Sequence, residues 1–131
     1  MTRRFTRHAA RLRRAAAVCG RAVPFLLYYG RYFLHANAVV AWEIVSPGSR
    51  LAPVITRLPL RSRTPWEIAA LAHLVSLAPG TLVLEARTAP PELLVHGMHA
   101  EDPRRFLATL RDLEDRLLAV VRPAEAGRGA P

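Results

Sequence analysis

Residues 64–82 read Thr64-Pro65-Trp66-Glu67-Ile68-Ala69-Ala70-Leu71-Ala72-His73-Leu74-Val75-Ser76-Leu77-Ala78-Pro79-Gly80-Thr81-Leu82. They contain a helix with both of its end signals, running into a strand. Thr64 can cap the helix, Pro65 takes the first helical position, where its missing N–H costs nothing, and Glu67 closes a capping box. Ile68, Leu71, Ala72 and Val75 recur at helical spacing and mark one buried face. Pro79-Gly80 stops the helix and predicts a tight turn. From Thr81 to Ala86 the chain reads as a strand, with Leu82, Leu84 and Ala86 on one side.

Working outward gives the rest of a small domain. Upstream, Val54, Thr56, Leu58 and Leu60 alternate with Ile55, Arg57, Pro59 and Arg61, a strand with one wetter face. Pro59 has no N–H to offer a ladder, so this strand is expected at an edge. Downstream, Thr88-Ala89-Pro90-Pro91 makes a turn and Leu93 to Met98 a third strand. Asp102 caps a final helix with Pro103 at its first position. Phe106, Leu110, Leu113 and Leu117 form its apolar stripe, and Arg111–Asp115 and Asp112–Arg116 are i,i+4 pairs on the solvent side. The order β-α-β-β-α over residues 51–122 predicts an α+β fold, a two-layer sandwich of three strands covered by two helices. The expected strand order is first-third-second. Residues 123–131 are small, polar or helix-breaking and are expected to form a disordered tail.

The front end differs in composition. The chain has 131 residues, and all 19 of its basic residues are Arg, against 10 acids. Residues 1–63 hold 12 Arg and one acid, Glu43, whereas residues 64–131 hold 7 Arg and 9 acids. Such asymmetry points the first half at something anionic, a phospholipid surface or a nucleic acid. At 100° per residue, Arg3, Arg4, Arg7, Arg11, Arg14 and Arg21 fall within an arc of roughly 100°. Phe5, Ala9, Leu12, Ala16, Cys19 and Val23 lie opposite. Residues 1–23 therefore read as a basic amphipathic leader helix suited to a membrane interface. An Arg-rich, acid-poor start also resembles an organelle transit peptide.

Pro24 is expected to interrupt this helix, and residues 24–47 form a second, apolar helix ending at Ser46-Pro47-Gly48. Its longest uncharged runs, residues 22–30 and 32–42, reach only about 14 and 17 Å against a hydrocarbon core of about 30 Å. Spanning would also bury Arg31, at roughly +2.5 to +3.5 kcal/mol at the bilayer centre. A helix lying at the interface, or packed on other membrane subunits, fits better. Tyr28, Tyr29, Tyr32 and Trp42 suit the headgroup level, and Glu43 reads as a salt-bridge partner near the helix end.

Catalytic chemistry finds little support. Without Lys there is neither a Schiff base nor a P-loop. The lone Cys19 has no orienting partner and no second cysteine, and no Gly-x-Ser-x-Gly elbow exists. His96 and His99 fall on opposite faces of a continuing strand, and His73 has no ligand at metal spacing. No enzyme, metal or cofactor is expected, and no small-molecule substrate bound by this chain alone.

The run 66–82 resembles the signature of the E-type subunits of the bacterial multisubunit cation/proton (Mrp/Mnh-type) antiporters. In that family a helix reading roughly L-A-N-L-I-[ST]-L-T-P-G-T-L runs into a strand. Ala72, Leu74, Ser76, Leu77, Pro79, Gly80, Thr81 and Leu82 carry the match, with Leu94-Val95-His96 and Ile44-Val45-Ser46-Pro47 supporting it. His73 and Ala78 depart from the usual Asn and Thr, and the Arg-rich leader replaces strongly apolar membrane segments. The resemblance covers about residues 30–122. It implies an accessory, non-catalytic subunit of the bacterial plasma membrane with its α+β domain cytoplasmic. The partners are then other subunits of the complex, through which the ions would move, and an anionic membrane surface. Two alternatives stand beside it: a basic module using the Arg stripe on nucleic-acid phosphates, which lacks interleaved aromatics, and a regulatory remnant without a transport role.

Overall fold

The computed structural model describes residues 2–48 and 51–122. Six elements follow in order: α1 (Thr2–Val45), β1 (Val54–Pro59), α2 (Pro65–Leu77), β2 (Thr81–Thr88), β3 (Pro91–Gly97) and α3 (Pro103–Val121). The three strands form one sheet in the order β1-β3-β2, with β3 antiparallel to both neighbours. This is the α+β class and the strand order read from the sequence. β1 is an edge, and Pro59 stands opposite Glu92 at its end. Between Val83 and Glu85 the β2–β3 register shifts, a bulge that leaves Leu84 without a partner.

One sheet face is buried. Leu58, Leu93 and Val95 meet Ile68, Leu71 and Val75 of α2 and Leu110, Leu113 and Leu117 of α3 in a single core. Ile55, Arg57, Leu82 and Leu84 turn to the open face and are exposed. Gly97 ends β3 under the first turn of α3: a Cβ there would lie 2.7 Å from Phe106 Cζ, so any larger residue would have to displace that ring.

Polar locks at the helix ends hold the layers in place. Thr64 Oγ1 accepts from Glu67 N–H at 3.2 Å, and Glu67 Oε2 accepts from Thr64 N–H at 3.2 Å, which is the capping box. Glu67 also receives the Arg122 guanidinium at 2.5 and 2.6 Å, tying the start of α2 to the end of α3. Asp102 accepts from Arg104 and Arg105 N–H at the start of α3. The buried Glu114 Oε1 takes Arg61 N–H, Ser62 N–H and the Ser62 hydroxyl at 2.7–2.8 Å, anchoring the β1–α2 loop.

Three expectations are corrected. Pro24 does not interrupt the first helix, since α1 continues through it to Val45. Proline inside a helix costs about 3 kcal/mol or more, and here Phe25, Tyr28 and Tyr29, just beyond it, pack on the core and fix the helical path. Asp115 does not pair along the helix with Arg111. It takes Arg61 of the β1–α2 loop at 2.7 Å, while Asp112–Arg116 forms as expected at 3.0 Å. Tyr28, Tyr29 and Tyr32 turn toward the α+β domain rather than outward, because the rings can cover apolar surface there while their hydroxyls find partners. Trp42 alone of the four aromatic residues stays outside, 63% exposed.

α1 is helical across Arg3, Arg4, Arg7, Arg11 and Arg14, whose side chains lie outside the described part of the structure. Arg21 Nε donates to Ala17 O at 3.1 Å. Among the described residues no helix is long and apolar enough to cross a membrane. The expected tail, residues 123–131, lies outside the described residues.

Candidate functional site

The motif residues from Leu74 to Leu82 lie where α2 ends and β2 begins. The last turn of any helix leaves carbonyls without helical partners, and here the motif supplies them. Thr81 Oγ1 lies 2.5 Å from Val75 O and 2.9 Å from Ala78 O, sharing its one hydrogen between them. Tyr29 of α1 donates to Leu74 O at 2.7 Å. Ser76 Oγ accepts from Val83 N–H at 3.3 Å, holding β2 against the helix it leaves. Pro79 ends the helix and Gly80 reverses the chain with φ +85°, a conformation that L side chains rarely adopt. Gly80 O then accepts from Met98 N–H at 2.8 Å, stitching the turn to the end of β3.

Ala72 is half-buried on α2, whereas Leu77 and Leu82 point outward at 61% and 52% exposure. His96 stands in β3 opposite Ile55 and Leu82, toward the open sheet face. It does not approach His99, which follows the strand and turns to α1. His73 is exposed and donates from Nδ1 to Ala69 O.

A contact with no local sequence signal completes the site. His99 Nε2 meets the Glu43 carboxylate, and both side chains are largely covered. The other ring nitrogen packs against Gly80, where an added Cβ would stand 3.1 Å from Nδ1. Gly80, His99 and Glu43 thus connect the motif turn to α1. The partner that Glu43 finds is a residue 56 positions away. No spacing pattern points to that pairing.

Two further ties fasten α1. The Arg116 guanidinium sits 4.0 Å above the Tyr28 ring, and Asp112 bonds the Tyr28 hydroxyl. Burial, then that carboxylate, push the Tyr28 hydroxyl up to about 12. Tyr28 and Arg116 keep Asp112 below the usual carboxylate range. Tyr32 faces Thr81, and burial raises its hydroxyl. Between α1 and the motif turn lies a cleft of about 510 Å³, lined by Tyr32, Thr81, Gly97, His99, Arg105 and Phe106. The arrangement holds a long helix at a fixed angle to a small domain.

The chain matches, over residues 1–120, the family described as Na+/H+ ion antiporter subunit. It belongs to that family. The E-type subunit of the Na(+)/H(+) antiporter of Alkalihalophilus pseudofirmus is 26% identical over 119 residues, covering 91% of this chain and 73% of the relative. Its namesake from Bacillus subtilis is 31% identical over 77 residues, 59% of this chain and 49% of that one. Among solved structures, a chain of the Mrp complex from a Dietzia species superposes with a TM-score of 0.61 at 34% identity. That match covers 78% of this chain and 96% of the other. The resemblance read from residues 66–82 is therefore a family relationship extending into α1.

Proposed function

We propose that this chain is an accessory, non-catalytic subunit of a multisubunit Na+/H+ antiporter, and that its work is assembly. It associates with the plasma membrane of a bacterium, with the α+β domain on the cytoplasmic side. Cation and proton pass through larger subunits. The observation that carries this reading is where the motif residues act: the Thr81 hydroxyl on the carbonyls of Val75 and Ala78, and the positive φ of Gly80, set the joint between α2, β2 and α1. A joint of this kind serves a subunit that must present a helix and a domain to neighbours in one geometry. The Arg-rich sequence of residues 3–21 supports contact with anionic headgroups, worth on the order of 1 kcal/mol per nearby Arg.

The experiment is genetic and biochemical. Removing the chain from its native host is expected to abolish the assembled antiporter on native gels, together with cation/proton exchange in membrane vesicles. The wild-type chain restores both, and Gly80→Val restores neither. Full assembly and exchange without the chain would refute an assembly role.

A further inference from the structure

The ties that fasten α1 fall into two sets along its length. Tyr28, held by Asp112 and Arg116, and Tyr29, donating to Leu74 O, fix its middle. These groups keep their charge state near neutral pH. Burial and Asp112 push the Tyr28 hydroxyl up to about 12, and burial raises that of Tyr29. Asp112 is held below the usual carboxylate range by Tyr28 and Arg116. The last turns of α1 are fastened differently, by Glu43 meeting His99 Nε2. Histidine is the side chain whose charge ordinarily changes between about pH 5 and 8. A carboxylate ordinarily stays charged through that range. Both side chains are only 19% exposed, so solvent screens their attraction weakly.

We propose that Glu43 and His99 form a pH-sensitive latch, which pins the last turns of α1 to the Gly80 turn while the imidazole is protonated and releases them as pH rises. An imidazolium adds Coulomb attraction to its hydrogen bond with the carboxylate. A neutral imidazole loses that attraction, and its Nδ1–H tautomer turns a lone pair toward the carboxylate. Other groups face the same ring. His35 and Tyr32 of α1 line the clefts beside it, as do Glu101, Asp102 and Arg105 where α3 begins. Arg105 is turned to Asp102 at 3.8 Å. The α2–β2 turn, Val40 and Met98 bring no charge. Because the tyrosine ties do not titrate in this range, release is confined to the end of α1 that leads to β1. The latch belongs to the chain alone and does not depend on its place in a complex.

The test measures a distance across the latch in the full chain. Cys19→Ser removes the native thiol, and Ala41→Cys with Ala108→Cys places spin labels at exposed sites on the end of α1 and on α3. Pulsed electron spin resonance then reads the label separation from pH 5.5 to 8.5. One narrow distribution is expected at the acid end. A second, longer population is expected to grow at least fivefold toward the alkaline end, while circular dichroism stays unchanged. His99→Gln keeps a donor that cannot change charge, and Glu43→Gln removes the anion. In either variant the distribution is expected to stop responding to pH, whereas His35→Gln is expected to respond as the parent does. A parent chain whose separation is the same at every pH would overturn the latch. So would a pH response that persists in His99→Gln, or one that His35→Gln abolishes.

Discussion

Thr81 carries one hydroxyl to the place where α2 runs out of helical partners. Thr81→Val keeps the volume and removes the donor, leaving Val75 O in the half-buried end of α2 without it. An unsatisfied group of this kind costs about 1–3 kcal/mol, and chemical denaturation of the purified chain should read a loss in that range. Gly80→Val acts through the backbone instead. A β-branched residue at φ +85° is strained, and its Cβ crowds His99. The expected loss is about 1–2 kcal/mol from backbone conformation alone, with further loosening of the His99–Glu43 contact. Both effects were legible in part. Pro79-Gly80-Thr81 announces a turn, and proline with glycine fixes where the helix stops. That the threonine hydroxyl reaches back six residues, and that His99 lies over the glycine, depends on tertiary placement that no spacing encodes.

At the scale of elements, the two short helices follow their local signals, and the long one does not. Thr64, Glu67 and Asp102 cap where their residue types say they should, because a cap is decided within four residues. Glu67 also shows the limit of local reading, since its second partner, Arg122, closes the far end of α3. Arg122 and the loop N–H groups hold the Glu67 carboxyl down at about 2, Arg122 being the larger cause. Its ordinary value is 4.5, so the unfolded chain takes up the proton first as pH falls. This contribution to stability is complete above about 4.5 and is lost as pH drops toward about 2. Arg122→Gln should therefore begin to unfold at higher pH than wild type in an acid titration followed by circular dichroism, the two converging near the bottom of that window. For α1, Pro24 read as a break, and propensity alone supports that reading. Packing of Phe25, Tyr28 and Tyr29 overrides it. Pro24→Ala is expected to raise the stability of the helix by up to about 3 kcal/mol by restoring a helical hydrogen bond. Slower amide exchange at Gly20 to Tyr28 would register it.

Taken whole, the molecule is a small α+β domain with a helix of 44 residues fastened along one side. Core composition and period gave the layers, since three alternating strands and two capped helices admit few compact arrangements, whereas the strand order, β1-β3-β2, depends on pairings that no local pattern encodes. How α1 sits on that domain was hidden, because the same tyrosines satisfy a membrane interface and a protein interface equally well. The fastening is made by Tyr28 to α3, Tyr29 to the end of α2 and Glu43 to His99. A double variant, Tyr29→Phe with His99→Ala, is expected to release α1 from the domain while leaving the core intact. Limited proteolysis should then cleave between α1 and β1 faster, with the fragment carrying α2, β2, β3 and α3 remaining resistant. The most direct measurement is recovery of the tagged wild-type chain from mildly solubilised native membranes, with mass spectrometry of its companions. Several large polytopic antiporter subunits in fixed ratio are expected. The chain recovered alone, or found only in the soluble fraction, would contradict its role in assembly of the complex.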